Sequence, residues 1–342
     1  MADIATMETV GNEAAAKDLG TGKMVTLGLQ HAMAMFGSTV LVPILTGLNI
    51  GVALFTAGVG TLLFHLITKG KVPAYLGSSF AFIAPITLVI NQHGGIPAAQ
   101  GGIIAAGLIY GIMSLIISWV GSDFIEDLFP PIVTGPVIMV IGLGLAPVAI
   151  GMAQGNWIVA GVGLLVAALV AVFGKGFSRL VPVLFGLIAG YVTAISFGMV
   201  DFSPVTEAGF FGMPNFTVPT FNLNAILIIA PVAMVSMVEH VGDVLAISAT
   251  IGKGRELVTD PGINRTMAGD GLATTLAGLF GGPPNTTYSE NTGVLALTKV
   301  YNPLVMRIAA CFAILMSVVP KLSALIDTIP EPVIGGDRKS VV

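Results

Sequence analysis

Charge is what this sequence has least of. Asp, Glu, Lys and Arg make up 9% of its 342 residues, where soluble domains carry about 25%. With 55% hydrophobic residues and a mean hydropathy of +0.95, the chain falls outside the ordinary soluble classes and reads as a protein of the lipid bilayer. Cysteine is almost missing as well. Cys311 stands alone, which excludes an internal disulfide, and in its apolar run it reads as a small packing residue. No cluster of Lys and Arg interleaves with aromatics, which argues against nucleic acid as a partner. The alternation over about ten residues that marks a membrane barrel is missing too. Residues 1–20 lack the basic start and apolar core of a secretory leader and read as a polar tail.

What is present is apolar sequence in long runs from Met24 to Val319. A span needs about 20 residues, and in lipid each must satisfy its own backbone, so the runs mean helices. The 44 Gly and 20 Pro suit tightly packed, interrupted helices. The pattern predicts spans at Met24–Leu48, Val52–Thr68, Tyr75–Ile90, Gly101–Val120, Ile132–Ala153, Trp157–Gly174, Leu180–Val200, Ala225–Ile251, Thr266–Gly281, Thr286–Lys299 and Pro303–Pro320, with a twelfth beginning near Leu322. Lys17 and Lys23, Lys69 and Lys71, Lys175 and Arg179, Lys253, Arg255 and Arg265, and Lys299 then fall on one side. The opposite loops 91–100 and 201–224 contain no Lys or Arg. Cytoplasmic loops carry the excess, so the N-terminus is expected in the cytoplasm of a bacterial-type inner membrane.

Two spans are odd. Tyr75–Pro85 starts polar and is broken by Gly and Pro, and Thr286–Lys299 follows the polar run Pro284-Asn285-Thr286-Thr287-Tyr288-Ser289-Glu290-Asn291-Thr292-Gly293. Paired interrupted segments in corresponding positions point to a transporter site, and about 210 residues separate these two. Seven spans fit that period. Seven is odd, so a second copy enters from the opposite face and the repeat is inverted. The chain then divides into a tail (1–22), a first repeat (23–200), an external loop (201–224), an incomplete second repeat (225–336) and an atypical end (337–342). Two full copies need roughly 400 residues, so the expectation is a truncated or mis-terminated chain lacking two or three helices, with a short natural variant as the alternative.

Carboxylates in the apolar runs are the candidates for chemistry, because an ionisable group at membrane depth costs about 2.5–3.5 kcal/mol and is rarely idle. Glu239 and Asp243 lie four apart, on one helix face, with no Lys or Arg within two turns. Unpaired acids sharing a low-dielectric site disfavour double ionisation, so the pair can carry a proton. The plainer reading is two acids facing water near a helix end marked by Lys253 and Arg255. Glu290 is an acceptor only and suits a ligand with adjacent N–H donors, such as the edge of a nucleobase. Backbone N–H groups freed near Phe80 and Ser289 could meet ring carbonyls, and Phe80 could stack on a flat ring or simply pack. His31, His65 and His93 stand singly, without metal-ligand spacing, and read as packed or interfacial. His240 flanks Glu239 but points elsewhere. Asp270 is either another buried acid or, near Arg265, a cytoplasmic-end residue. An enzyme would need a nucleophile–base pair or clustered ligands, and neither is present.

These motifs carry a resemblance that spans Gly22 to Gly336. Gly28-Leu29-Gln30-His31 with Met35-Phe36-Gly37, Pro73-Ala74-Tyr75-Leu76-Gly77-Ser78-Ser79-Phe80-Ala81-Phe82, Glu239-His240-Val241-Gly242 and the run Asn285–Gly293 together resemble the nucleobase–ascorbate transporter family, in its uracil permease branch. The resemblance implies an all-α fold of seven plus seven inverted spans in core and gate domains, the gate drawing on spans five to seven and twelve to fourteen. It implies that spans three and ten each hold a short extended piece and a half helix. It implies that Glu239, Glu290, Phe80, Ser289 and Tyr288 bind the pyrimidine, that Glu239 or Asp243 couples a proton to import, and that His240, Asn291 and Ser79 stand behind them. No cofactor other than the coupling proton is implied, and a homodimer is admitted as the assembly. Uracil carriers of the family have His where this chain has Asp243; purine carriers often have Asp there but Gln in place of Glu290. Uracil is therefore favoured over xanthine or urate. An anion carrier on the same scaffold is the rival of another class, and would call for positive charge or bare helix N-termini in place of two acids.

Overall fold

A computed structural model of the chain describes residues 20–121 and 131–334. The tail before residue 20, with Lys17, and the charged end 337–342 lie outside them. In chain order the helices are α1 (Thr21–Thr46), α2 (Ile50–Ile67), α3 (Ile83–Gln92), α4 (Gly95–Val120), α5 (Pro131–Ala153), α6 (Trp157–Phe173), α7 (Pro182–Ser196), α8 (Ser203–Glu207), α9 (Leu223–Ile229), α10 (Ala233–Thr250), α11 (Ile263–Phe280), α12 (Ser289–Thr298), α13 (Pro303–Ser317), α14 (Pro320–Asp327) and α15 (Glu331–Ile334). Two strands, β1 (Leu76–Ser78) and β2 (Asn285–Thr287), precede the short helices α3 and α12.

Among the described residues, five helices are long and apolar enough to cross a membrane: α1, α2, α4, Gly135–Ala153 within α5, and the nearly continuous Leu223–Thr250 formed by α9 and α10. The last is the expected eighth span, and Pro231 marks the short 3₁₀ turn between its parts. The expected third and tenth spans are not continuous helices. Each is an extended piece followed by a half helix. Near the expected start of the twelfth, α14 is bent by 80° from α13 and is followed by the short α15. Pro320 opens that bend, because it cannot donate into the preceding turn.

Helix α11 sits at the centre, packed against α4 on one side and α2 on the other. Small residues allow this approach. A Cβ on Gly107 would fall 2.6 Å from the Thr275 nitrogen and 2.7 Å from the Gly271 oxygen, and one on Gly271 would fall 2.9 Å from the Gly107 oxygen. Gly278 meets α4 the same way, 2.9 Å from the Ile104 nitrogen. Close backbone contact between small residues is how helices associate where lipid offers no hydrophobic drive. The main core joins Phe64 and Tyr110 to Phe82, Ile86, Ile103, Ile229, Met237 and Met267.

Part of the charge reading is visible at one face. Lys71, after α2, pairs with Asp260 in the turn after α10. The Lys71 hydrogen bond, with the Lys71, Lys69 and Lys253 charges, holds the Asp260 carboxyl below the usual range. Two of the basic junctions expected on one side are thus together. The pair is exposed, and such pairs add little stability.

Replacing Gly107 by Val should force α4 and α11 apart. Overpacking of this kind costs about 1–3 kcal/mol, so the detergent-solubilised variant should unfold several degrees below the unsubstituted protein in a thermal scan. An equal melting temperature would contradict the close packing.

Candidate functional site

The two broken segments meet. β1 and β2 pair antiparallel with Leu76 opposite Thr287, Gly77 opposite Thr286 and Ser78 opposite Asn285. The ribbon runs on by one bond at each end, Ser79 N to Pro284 O at 2.8 Å and Tyr288 N to Tyr75 O at 3.0 Å. All six strand residues are buried. Extended backbone at this depth has to find partners inside the protein, and each strand supplies them to the other. Gly77 is required by a neighbour: a Cβ there would lie 2.5 Å from the Tyr288 ring.

Because the strands are antiparallel, the helices that follow leave in opposite directions. Phe80 opens a 3₁₀ turn into α3, and Ser289 opens α12. The two helix starts lie at opposite ends of the ribbon. Each has first-turn N–H groups without partners in its own helix, with the positive end of a helix dipole behind them. Glu290 lies in the first turn of α12, where that dipole favours a carboxylate.

Helix α10 runs alongside and touches both ends. Ser236 Oγ lies 3.3 Å from Ser79 Oγ beside the start of α3. Asp243 accepts from Thr287 Oγ1 at 2.9 Å and from Ser289 Oγ at 2.5 Å beside the start of α12. Positions 236, 239 and 243 share one helix face, so Glu239 stands between the two helix starts. Its Oε2 is enclosed and has no hydrogen-bond partner among the described residues. Asp243, Asp270 and Glu290 are within its electrostatic reach. Glu290 itself is half-buried, and Ser38 Oγ of α1 donates to its Oε1 at 2.6 Å.

The remaining named residues take distinct places. Phe80 is half-buried at the mouth of α3 and Ser289 is exposed. Tyr288 is turned inward: its hydroxyl donates to Ser78 O at 3.0 Å and meets Thr39 Oγ1 at 3.4 Å. Its backbone N–H is taken as well, by Tyr75 O, so both of its donors are spent inside the protein. Ser79 is wholly buried behind the mouth. Asn291 Nδ2 lies 3.0 Å from His31 Nδ1 and donates to His31 O at 3.2 Å, joining α12 to α1. His240 faces away from Glu239 toward Asp270, 3.2 Å from Nδ1 to Oδ2, with both side chains fully buried. Asp270 is therefore an interior acid, and the cytoplasmic-end alternative falls. His65 packs inside with Nε2 3.0 Å from Ala74 O.

Sequence reading passed over Ser38, Thr39 and Ser236. Hydroxyls in apolar helices are common, and no spacing rule links positions 38 and 290. An apolar cavity of about 530 Å³ lies elsewhere, between α1, α6, α7 and α14, lined by Phe36, Val40, Trp157, Leu184, Tyr191 and Leu325. None of the acids lines it.

Comparison with known proteins gives the family and the fold. The uracil permeases of Bacillus subtilis and Escherichia coli are each 45% identical to the chain, over 331 and 323 residues; the matches cover 91% of this chain and 75% and 74% of theirs. Among solved structures, the transmembrane domain of the cyanobacterial bicarbonate transporter BicA superposes with a TM-score of 0.64 at 17% identity, over 92% of this chain and 85% of that one. SLC26A9 superposes at 0.53 and 11% identity, over 91% and 56%. At such identity these two speak to the fold alone, which is that of the seven-plus-seven inverted-repeat transporters. A model described as "Permease family" matches residues 22–338, and the chain belongs to that family, the multi-pass nucleobase–ascorbate transporters.

Proposed function

We infer that the chain imports uracil across a bacterial inner membrane together with a proton, its N-terminus in the cytoplasm. The observation that carries this reading is the placement of Glu239, with a free enclosed oxygen, between the starts of the two half helices and within electrostatic reach of Glu290. Two acids supply acceptors for ring N–H groups, and the backbone at Phe80 and Ser289 supplies donors for ring carbonyls. A pyrimidine-2,4-dione offers both kinds of group around one flat ring. The half-exposed Phe80 ring is placed to cover a face of it. Uracil rather than a purine is supported by Glu290 and by the names of the relatives. The anion reading has only the likeness of fold to BicA behind it, and an acid lies between the helix starts that an anion would use.

Proton coupling rests on Glu239 more than on Asp243. Asp243 already accepts two hydroxyl bonds, one from β2 and one from α12, and so ties α10 to the second crossing. Glu239 Oε2 has no such donor and is free to take a proton or a substrate N–H. Crowded carboxyls at low dielectric disfavour full ionisation of the set, which provides the capacity for an exchangeable proton. Movement of that proton with substrate is what an inward gradient can drive.

Glu290→Gln should weaken uracil binding about 10- to 100-fold, the worth of a hydrogen bond to a charged group, in a titration of purified protein. Unchanged affinity would remove Glu290 from the site. Glu239→Gln should abolish pH-driven uracil accumulation in proteoliposomes, and accumulation at the normal level would place the coupling elsewhere. Asp243→Asn gives up one acceptor and should lower thermal stability by about 1–3 kcal/mol while changing uracil affinity less than Glu290→Gln does. A thermal-shift panel of uracil, xanthine, urate and adenine tests the substrate, and stabilisation by xanthine alone would decide for a purine.

A further inference from the structure

Glu290 has a hydroxyl partner that the transport reading leaves unused. Ser38 donates to Glu290 Oε1 at 2.6 Å, across 252 positions of sequence. That length lies in the range of charge-assisted O–H···O bonds, about 2.5–2.7 Å. Ser38 and Thr39 form a polar step in the otherwise apolar stretch Met33–Leu45 of α1. Thr39 has structural work in the ribbon: its carbonyl accepts from Ser78 Oγ at 2.9 Å, and its hydroxyl donates to Tyr288 Oη. Thr39 is wholly buried and its polar atoms need those partners.

Ser38 is in another position. It and Glu290 are both half-buried, so burial alone does not demand the bond. What the bond does is hold a flexible side chain still. A glutamate free to rotate must be ordered when ligand binds, at a cost of about 0.5–1.5 kcal/mol per side chain. A serine hydroxyl has one proton to give, so it engages one carboxylate oxygen and leaves the other for a ligand N–H.

Resting on the nucleobase reading above, we propose that Ser38 is the positioning residue for Glu290. Its hydroxyl holds Oε1, sets the carboxylate before substrate arrives, and leaves that wall of the site to a ring that presents an N–H there. A ring presenting a bare acceptor would meet an oriented carboxylate and be rejected.

The test is a double-mutant cycle on the full chain in detergent, titrated with uracil up to millimolar concentration. Ser38→Ala should weaken binding by about two- to twelvefold in the unsubstituted background, as the ordering cost predicts. In a Glu290→Met background, which leaves Ser38 no oxygen to donate to, the same change should shift affinity less than about twofold, because coupled residues lose their effect together. Ser38→Cys keeps the size with a weaker donor and should fall between. If the Ala variant does not fold, judged by its thermal unfolding, the Cys variant carries the cycle. The proposal is overturned if Ser38→Ala binds within twofold of the unsubstituted protein, or if it loses as much affinity in the Glu290→Met background as in the unsubstituted one. If the unsubstituted chain binds a different base, the uracil reading fails and the same cycle with that base decides Ser38. If it binds no nucleobase, both fall.

Discussion

Six residues of buried extended backbone set the terms for the rest of this structure. In a low-dielectric interior, each unpaired N–H or C=O costs several kcal/mol, so a chain that breaks two helices at mid-depth must pair the broken pieces. The antiparallel ribbon of β1 and β2 does this, with one further bond at each end. Its antiparallel sense sends α3 and α12 off in opposite directions, with α10 alongside touching both helix starts. A continuous helix through either segment would erase the first-turn donors at Phe80 and Ser289 on which the proposed site depends.

The polar groups around the ribbon divide into two sets. One set serves the ribbon itself: Thr39, Ser78 and Tyr288 exchange hydrogen bonds, and Asn285 reaches Thr56 O at 3.1 Å. Asp243 belongs partly to this set, since its two hydroxyl donors come from β2 and α12. The other set is left under-used. Among the described residues, Glu239 Oε2 is enclosed without a partner and Glu290 receives a single hydroxyl. Unsatisfied polar groups in a packed interior are costly, and the proposed function assigns these two to cargo. The His240–Asp270 contact lies one helix face behind Glu239 and keeps a buried acid within reach of the site without touching the space between the helix starts.

Several features were legible in the sequence because they rest on composition and local pattern. The scarcity of charge and the long apolar runs determined a helical membrane protein. The polar, interrupted runs at Tyr75–Pro85 and Pro284–Gly293 determined that two spans are broken, and the spacing of Glu239 and Asp243 determined that both acids lie on one helix face. The clustering of Lys69, Lys71 and Lys253 around Asp260 follows the charge asymmetry of the loops.

What only the tertiary structure decided is which groups find each other. Ser38 meets Glu290, Asn291 meets His31 and Thr287 meets Asp243 across 252, 260 and 44 positions, and no helical or strand period relates such distances. The inward turn of Tyr288 came from the ribbon, which needed its hydroxyl at Ser78. The burial of Asp270 came from α11 lying between α2 and α4, where the glycines of α4 and α11 let the backbones touch. Local sequence determines which groups are polar and which face of an element they share. The folded chain alone decides which of them are consumed by each other and which remain free for a ligand, because hydrogen-bond donors are counted in space and not along the chain.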